Sequence, residues 1–167
     1  EILLKRHERG IYNFILRSVR RQDLAEEITQ EVFLRVVKNA SNYKQTAKFT
    51  TWIYTIARNL CIDRARKKGG KHELSLDKSV SGEDTGATFL DNVADTTNTS
   101  STEYERQQFR ERLAAALDEL PTEQKEVFLM RHVSGLKFRE ISEVLDIPVP
   151  TVKSRMRYAL ETLRGHL

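Results

Sequence analysis

The sequence predicts an all-α protein made of two small helical units joined by an acidic, flexible linker. Three observations carry that expectation. Long segments in both halves repeat apolar residues at three- and four-residue spacing, and none shows the alternation of a half-buried strand. Between them, residues 69–102 are rich in Ser, Thr, Asp, Asn and Gly and offer too little apolar burial to offset the entropy of ordering. Charge is segregated as well: Ser41 to Lys68 holds seven Lys/Arg against one acid, whereas Glu73 to Glu105 holds eight acids against one base, Lys78. The expected division is therefore 1–68, a linker 69–102, and 103–167. At 167 residues and 39% hydrophobic content, each unit can bury only a small helical core.

The elements follow in order. Ile11, Phe14, Ile15 and Ser18 mark one helical face, with Leu3 and Leu4 a turn or two earlier. From Asp23 to Lys38, Leu24, Ile28, Val32 and Val36 recur every four residues, and Phe33 and Val37 widen the stripe. Asn39 to Lys48 is polar and reads as a loop. Ile53, Ile56, Ala57 and Leu60 place a third helix from about Phe49 to Lys67, ended by Gly69-Gly70. Leu74, Leu76, Phe89, Leu90 and Val93 are the linker residues apolar enough to dock on something. Pattern returns at Thr102, with Phe109, Leu113, Leu117 and Leu120 in a stripe that Pro121 stops. Thr122 is the expected N-cap of a helix running to about Val133, and Ser134-Gly135 turns the chain.

The last segment carries the sharpest pattern. Two amphipathic stretches flank a tight Asp146-Ile-Pro-Val turn, the layout of a helix-turn-helix whose second helix enters a DNA major groove. Val152, Met156, Ala159, Leu160 and Leu163 form its buried face against Ile141, Val144 and Leu145. Pro150 suits the first helical position, where its missing N–H has no intrahelical partner. Thr151, Lys153, Ser154, Arg155, Arg157 and Tyr158 then project outward. Arg and Lys reach guanine edges, and Ser and Thr reach phosphates or bases. The plain alternative is a basic solvated face on a three-helix bundle.

Upstream, aromatic and basic residues are interleaved: Tyr43, Lys44, Lys48, Phe49, Trp52, Tyr54, Arg58, Arg64, Arg66 and Lys67. Aromatic rings stack on unpaired bases and cations follow the backbone, a combination suited to single-stranded DNA. Taken alone it reads equally as a core with solubilising charge. A net charge of +4 and a pI of about 9.2 lean mildly toward a polyanionic partner.

Three blocks of the chain resemble the bacterial RNA polymerase sigma factors of the extracytoplasmic-function group, in the sigma-70 family. They are Ala25-Glu-Glu-Ile-Thr-Gln-Glu-Val-Phe-Leu-Arg-Val36, Phe49-Thr-Thr-Trp-Ile-Tyr-Thr-Ile-Ala-Arg-Asn-Leu-Cys-Ile-Asp-Arg64 and Leu117-Asp-Glu-Leu-Pro-Thr-Glu-Gln-Lys-Glu-Val-Phe-Leu-Met-Arg131, with the helix-turn-helix last. The resemblance implies a region-two domain, a linker and a region-four domain docking on polymerase core, at the clamp helices of its largest subunit and at its flap. It places core contacts at Asp23, Glu27, Gln30, Glu31 and Arg35. It places recognition and opening of the minus-ten element at Asn42, Tyr43, Lys48, Phe49, Trp52, Arg58, Asn59, Asp63 and Arg66. Asn59 and Asp63 either share a contact or pair with nearby arginines. The helix beginning near Pro150 would read the minus-thirty-five element. The resemblance further implies an anti-sigma protein, and a linker that threads toward the active cleft, where acidic charge would repel or mimic nucleic acid. Lys137, Asp146 and Pro150 stand where the family commonly has Ser or Thr, Gly and Gly, so promoter sequence is not carried over.

Other classes fit less well. Glu27 and Glu31 share a helix face, but His7, His72, His132 and His166 are scattered and complete no Glu-x-x-His metal motif. There is no Gly-rich phosphate loop, and no catalytic residue, metal or cofactor is expected. A simple helix-turn-helix regulator would explain 106–167 and leave 23–66 without a role. One cysteine, Cys61, excludes an internal disulfide and reads as a small buried hydrophobe. No apolar run approaches the ~20 residues of a membrane span, and no signal-peptide pattern opens the chain, so the expected location is the cytoplasm, without membrane insertion.

Overall fold

A computed structural model describes residues 2–44, 48–69 and 102–167, without the side chains of 68 and 69. The expected linker, including Leu74, Leu76, Phe89, Leu90 and Val93, lies outside the described residues apart from its two ends. Helices are α1 (Ile2–Val19), α2 (Gln22–Lys38), α3 (Phe49–Gly69), α4 (Glu103–Glu119), α5 (Thr122–Phe128), α6 (Phe138–Leu145) and α7 (Val149–His166). A 3₁₀ turn spans Ala40–Asn42, and a π-helical turn, Leu129–Val133, extends α5. No strand occurs among the described residues.

The first three helices pack on one another around Ile11, Phe14, Ile15, Leu24, Ile28, Val32, Ile53, Tyr54 and Ala57, all buried. These are the residues the four-residue spacing singles out, because apolar positions at that spacing form one ridge along a helix. Val37 departs from the expected stripe: it is 63% exposed. It follows Val36 by one residue, about 100° around the helix, and so turns off the buried ridge near the helix end. Ser18 also sits at the surface, where its hydroxyl donates to the Phe14 carbonyl at 2.8 Å.

In the second unit α7 packs against α4, α5 and α6. Thr102 starts α4 with a capping box: its hydroxyl accepts from the Glu105 amide at 3.3 Å, and the Glu105 carboxylate accepts from the Thr102 amide at 2.8 Å. Thr122 is not an N-cap. Pro121 holds that position and Thr122 is the first helical residue, because the chain enters the helix directly from the extended backbone at Leu120 and Pro121. In the π turn the Ser134 amide reaches the Leu129 carbonyl at 3.1 Å, five residues back, so the helix is widened by one residue. Gly135 then reverses the chain at φ +68°, and Arg131 fastens the turn by donating to the Leu136 carbonyl at 3.0 Å.

The helix-turn-helix is built as its sequence indicates, with local substitutes. Lys137 holds the N-cap position of α6 and an ammonium has no lone pair to offer, so only Glu140 caps, accepting from the Lys137 amide at 3.1 Å. Asp146 ends α6 in the left-handed conformation at φ 54°. Pro148 precedes α7 and Pro150 falls at its second residue, one later than expected. That position also lacks an intrahelical acceptor for its amide, so the ring costs no hydrogen bond.

The two units touch. α3 lies against α6, and α1 lies against the π turn.

Candidate nucleic-acid and partner interfaces

α2 turns one face inward and leaves the other open. Asp23, Glu27, Gln30 and Arg35 are exposed and Glu31 is half-buried on that outer side. Its charges are mostly paired locally. Arg21 donates to Asp23 at 2.5 Å, which, with help from the Leu24 amide, holds the Asp23 carboxyl below the usual carboxylate range. Arg35 donates to Glu31 at 2.9 Å and lowers Glu31 in the same way. Arg64 of α3 pairs with Glu27. Leu34 and Val37 stand exposed beside these charges. Sequence reasoning passed over them as surface members of this face. Leu34 follows Gln30 by four residues and Glu27 by seven, and that spacing was the available signal.

The loop before α3 is anchored by rings. Tyr43 stacks on Trp52 with centroids 4.8 Å apart at 29°. Phe49 meets Tyr43 and Trp52 edge-on at 6.1 and 5.9 Å, and His7 of α1 lies 5.6 Å from Phe49. Trp52 is therefore half-buried inside an aromatic cluster that holds Tyr43 in place, rather than standing alone as an open platform. Asn42 and Lys48 are exposed on either side of residues 45–47, which lie outside the described residues.

α3 divides the other predicted residues between two faces. Asn59, Asp63 and Arg66, spaced by four and three, lie on one exposed edge. Arg58 does not join them. It turns to the second unit and donates to Glu126 at 3.1 Å, with 26% and 14% of the two side chains exposed. Thr51 on the same side donates to Glu143 at 3.2 Å. Tyr54 is buried beneath this contact; burial pushes its hydroxyl up to about 12, slightly opposed by the nearby Ser134 side chain. The Tyr54 hydroxyl also fills the space a side chain would need at Gly10, 2.8 Å from where its Cβ would stand. Burial, and secondarily Glu126, pushes the Cys61 thiol up to about 12, leaving it protonated and unreactive at neutral pH.

α7 presents Lys153, Ser154, Arg157 and Tyr158 to solvent, opposite the buried Val152, Met156, Ala159 and Leu163. Arg157 lies over the Tyr158 ring at 5.0 Å. Thr151 is half-buried. Arg155 is drawn to the flank of the helix, 3.3 Å from Glu123 of α5, and does not share the outward row. Among the described residues no group of three or more His, Cys, Asp or Glu is arranged to hold a metal, and no helix is long and apolar enough to cross a membrane.

A basic helix-turn-helix joined in one chain to a helical unit with an aromatic and basic face defines a class of two-part transcription factors. Residues 3–70 match the family model for sigma-70 region 2, and residues 110–163 match that for sigma-70, region 4. The ECF RNA polymerase sigma factor SigW of Bacillus subtilis is 34% identical, over 94% of this chain and 82% of that protein. The ECF RNA polymerase sigma factor RpoE of Cereibacter sphaeroides is 32% identical, over 94% and 80%. The chain belongs to the extracytoplasmic-function group of RNA polymerase sigma factors. Its fold is also that of two solved sigma factors. RpoE of Bartonella quintana, in complex with the anti-sigma factor NepR, superposes with a TM-score of 0.73 at 18% identity, covering 97% of this chain and 92% of that one. CnrH, in complex with the cytosolic domain of CnrY, gives 0.67 at 17%, covering 98% and 83%.

Proposed function

We propose that this sigma factor binds polymerase core through the outer face of α2, opens the minus-ten element with the loop before α3 and the exposed edge of α3, and reads the minus-thirty-five element with α7. The observation that carries the assignment is the outward row Lys153, Ser154, Arg157 on a helix whose opposite side is buried in a helix-turn-helix. Only such a helix can enter a major groove without exposing its core. Asp23, Glu27, Gln30, Glu31 and Arg35 form the core-contact face, and Leu34 and Val37 add apolar area that is desolvated on docking.

Opening requires unstacking at about a few kcal/mol per base, and stacking on aromatic side chains returns ~1–3 kcal/mol per base. The Tyr43–Trp52 stack serves this by offering an ordered ring edge beside Asn42 and Lys48, with Asn59, Asp63 and Arg66 along the adjoining strand path. No nucleotide hydrolysis is required. An anti-sigma protein belongs to the same proposal, since the basic and apolar faces above are those it would have to cover. Run-off transcription with purified core polymerase over a library of genomic promoters tests the assignment. Transcripts dependent on this chain are expected, and failure to form holoenzyme in the absence of any inhibitor would overturn it.

A further inference from the structure

We infer that the two units form an intramolecular latch, in which acids of the second unit occupy the donors that the first unit would turn to DNA. This rests on the proposed reading of α3 as the minus-ten helix. Every polar contact across the junction runs the same way. The first unit supplies Arg20, Arg58 and the Thr51 hydroxyl. The second supplies Asp118 at 2.7 Å, Glu126 at 3.1 Å and Glu143 at 3.2 Å. Glu140, on α6 with Glu143, is close enough to influence His7 of α1. A row of carboxylates facing guanidinium and hydroxyl donors imitates the phosphates those donors would otherwise meet.

Two features separate this junction from incidental surface pairing. Arg58 and Glu126 are each about three-quarters or more removed from solvent, where salt screens a pair far less than at an open surface. Arg20 is held in the left-handed conformation at φ 59°, uncommon for a residue with a Cβ, at the α1–α2 corner from which it reaches Asp118.

The closed arrangement cannot persist on a promoter read at both ends. Elements named minus-ten and minus-thirty-five lie about 25 base pairs apart, or about 85 Å of duplex, whereas α3 and α6 are in direct contact. The chain from 69 to 102 has a covalent reach of about 110 Å, ample for separation. The latch therefore favours a free chain with Arg58 engaged, and engagement with core and promoter releases it.

The test is single-molecule energy transfer on the full chain, with dyes on cysteines at the exposed positions Lys38 and Arg112 in a Cys61→Ala background. The free chain is expected to populate a high-transfer state. Glu126→Arg should lower the closed-to-open ratio about tenfold or more, since it leaves Arg58 facing a like charge. The double exchange Arg58→Glu with Glu126→Arg should restore the closed state, which general damage to α5 would not allow. Glu126→Gln with Glu143→Gln, a near-isosteric pair, should open the chain in the same direction. Core polymerase should shift the unsubstituted chain to low transfer. A free chain that is already open, or a distribution that none of these variants moves, would overturn the latch. So would a complex with core that stays closed. Absence of any complex with core would instead overturn the proposed function, and the core-free measurements would still decide the latch.

Discussion

The helices α3 and α7 are both assigned to DNA, yet they are built on different plans. α7 has one buried ridge and one open row, so its outward residues follow from helical spacing alone. α3 has three kinds of face: a core ridge through Ile53, Ala57 and Leu60, an open edge through Asn59, Asp63 and Arg66, and a side with Thr51 and Arg58 that meets the second unit. A helix at the edge of a bundle keeps its polar residues for solvent and ligands. A helix between two bundles must share them with a neighbour whose identity local pattern does not encode.

The largest expected effect isolates α7. Lys153→Ala combined with Arg157→Ala should weaken binding to upstream-element duplex by about 10- to 100-fold and reduce the salt slope by roughly 2, leaving core affinity intact; fluorescence anisotropy across a salt series measures both. Trp52→Ala makes the corresponding cut in the α3 region. Loss of its contacts with Tyr43 and Phe49 should cost about 2–3 kcal/mol in urea unfolding and slow opening more than initial binding. Permanganate reactivity of promoter thymines reports the second effect, and opening at an unchanged rate would remove Trp52 from that role.

Gly10→Ala probes the packing under the junction. A Cβ there meets the Tyr54 hydroxyl at 2.8 Å, and overpacking of this kind costs about 1–3 kcal/mol. Tyr54→Phe in the same chain should recover part of it, because the clash is with the hydroxyl. Asp146→Gly should do the opposite in the second unit, gaining up to about 1 kcal/mol by relieving a left-handed residue, as a rise in melting temperature.

The smallest effect compares one histidine from each unit. Burial, with Arg6 adding, lowers His7 from 6.5, and burial, with Arg131 adding, lowers His132 from 6.5. The unfolded chain then takes up protons that the fold resists. Stability is complete above about pH 6.5 and falls as pH drops through the unfolded value toward the lower folded ones. His132→Phe, beside the ring of Phe128, should flatten the pH dependence of the melting temperature, whereas His7→Phe should flatten it less, since Glu140 partly opposes the shift there.

Much of this architecture was legible before any coordinates. The four-residue ridges, the Thr102 cap, the Gly135 turn and the helix-turn-helix depend on residues close in sequence, and spacing reports such relations. Val37 misled because periodicity ignores where a covering helix ends. Thr122 misled because an N-cap requires an extended backbone, and that backbone belongs to Pro121. Arg58 and Arg155 were grouped with the DNA residues by charge alone, and each turned to an acid: Glu126, sixty-eight residues on, and Glu123 on α5. Pairings across such distances leave no mark in local pattern.

The widened turn at Leu129–Val133 fixes the bearing of everything after it. Each residue of regular helix turns the chain by about 100° and advances it by 1.5 Å. Trimming one residue from this turn would convert it to ordinary helix and swing Gly135, α6 and α7 round the axis of α5 by roughly that amount. The reading head would then face away from the groove it is shaped to enter, although every side chain on α7 would be unchanged.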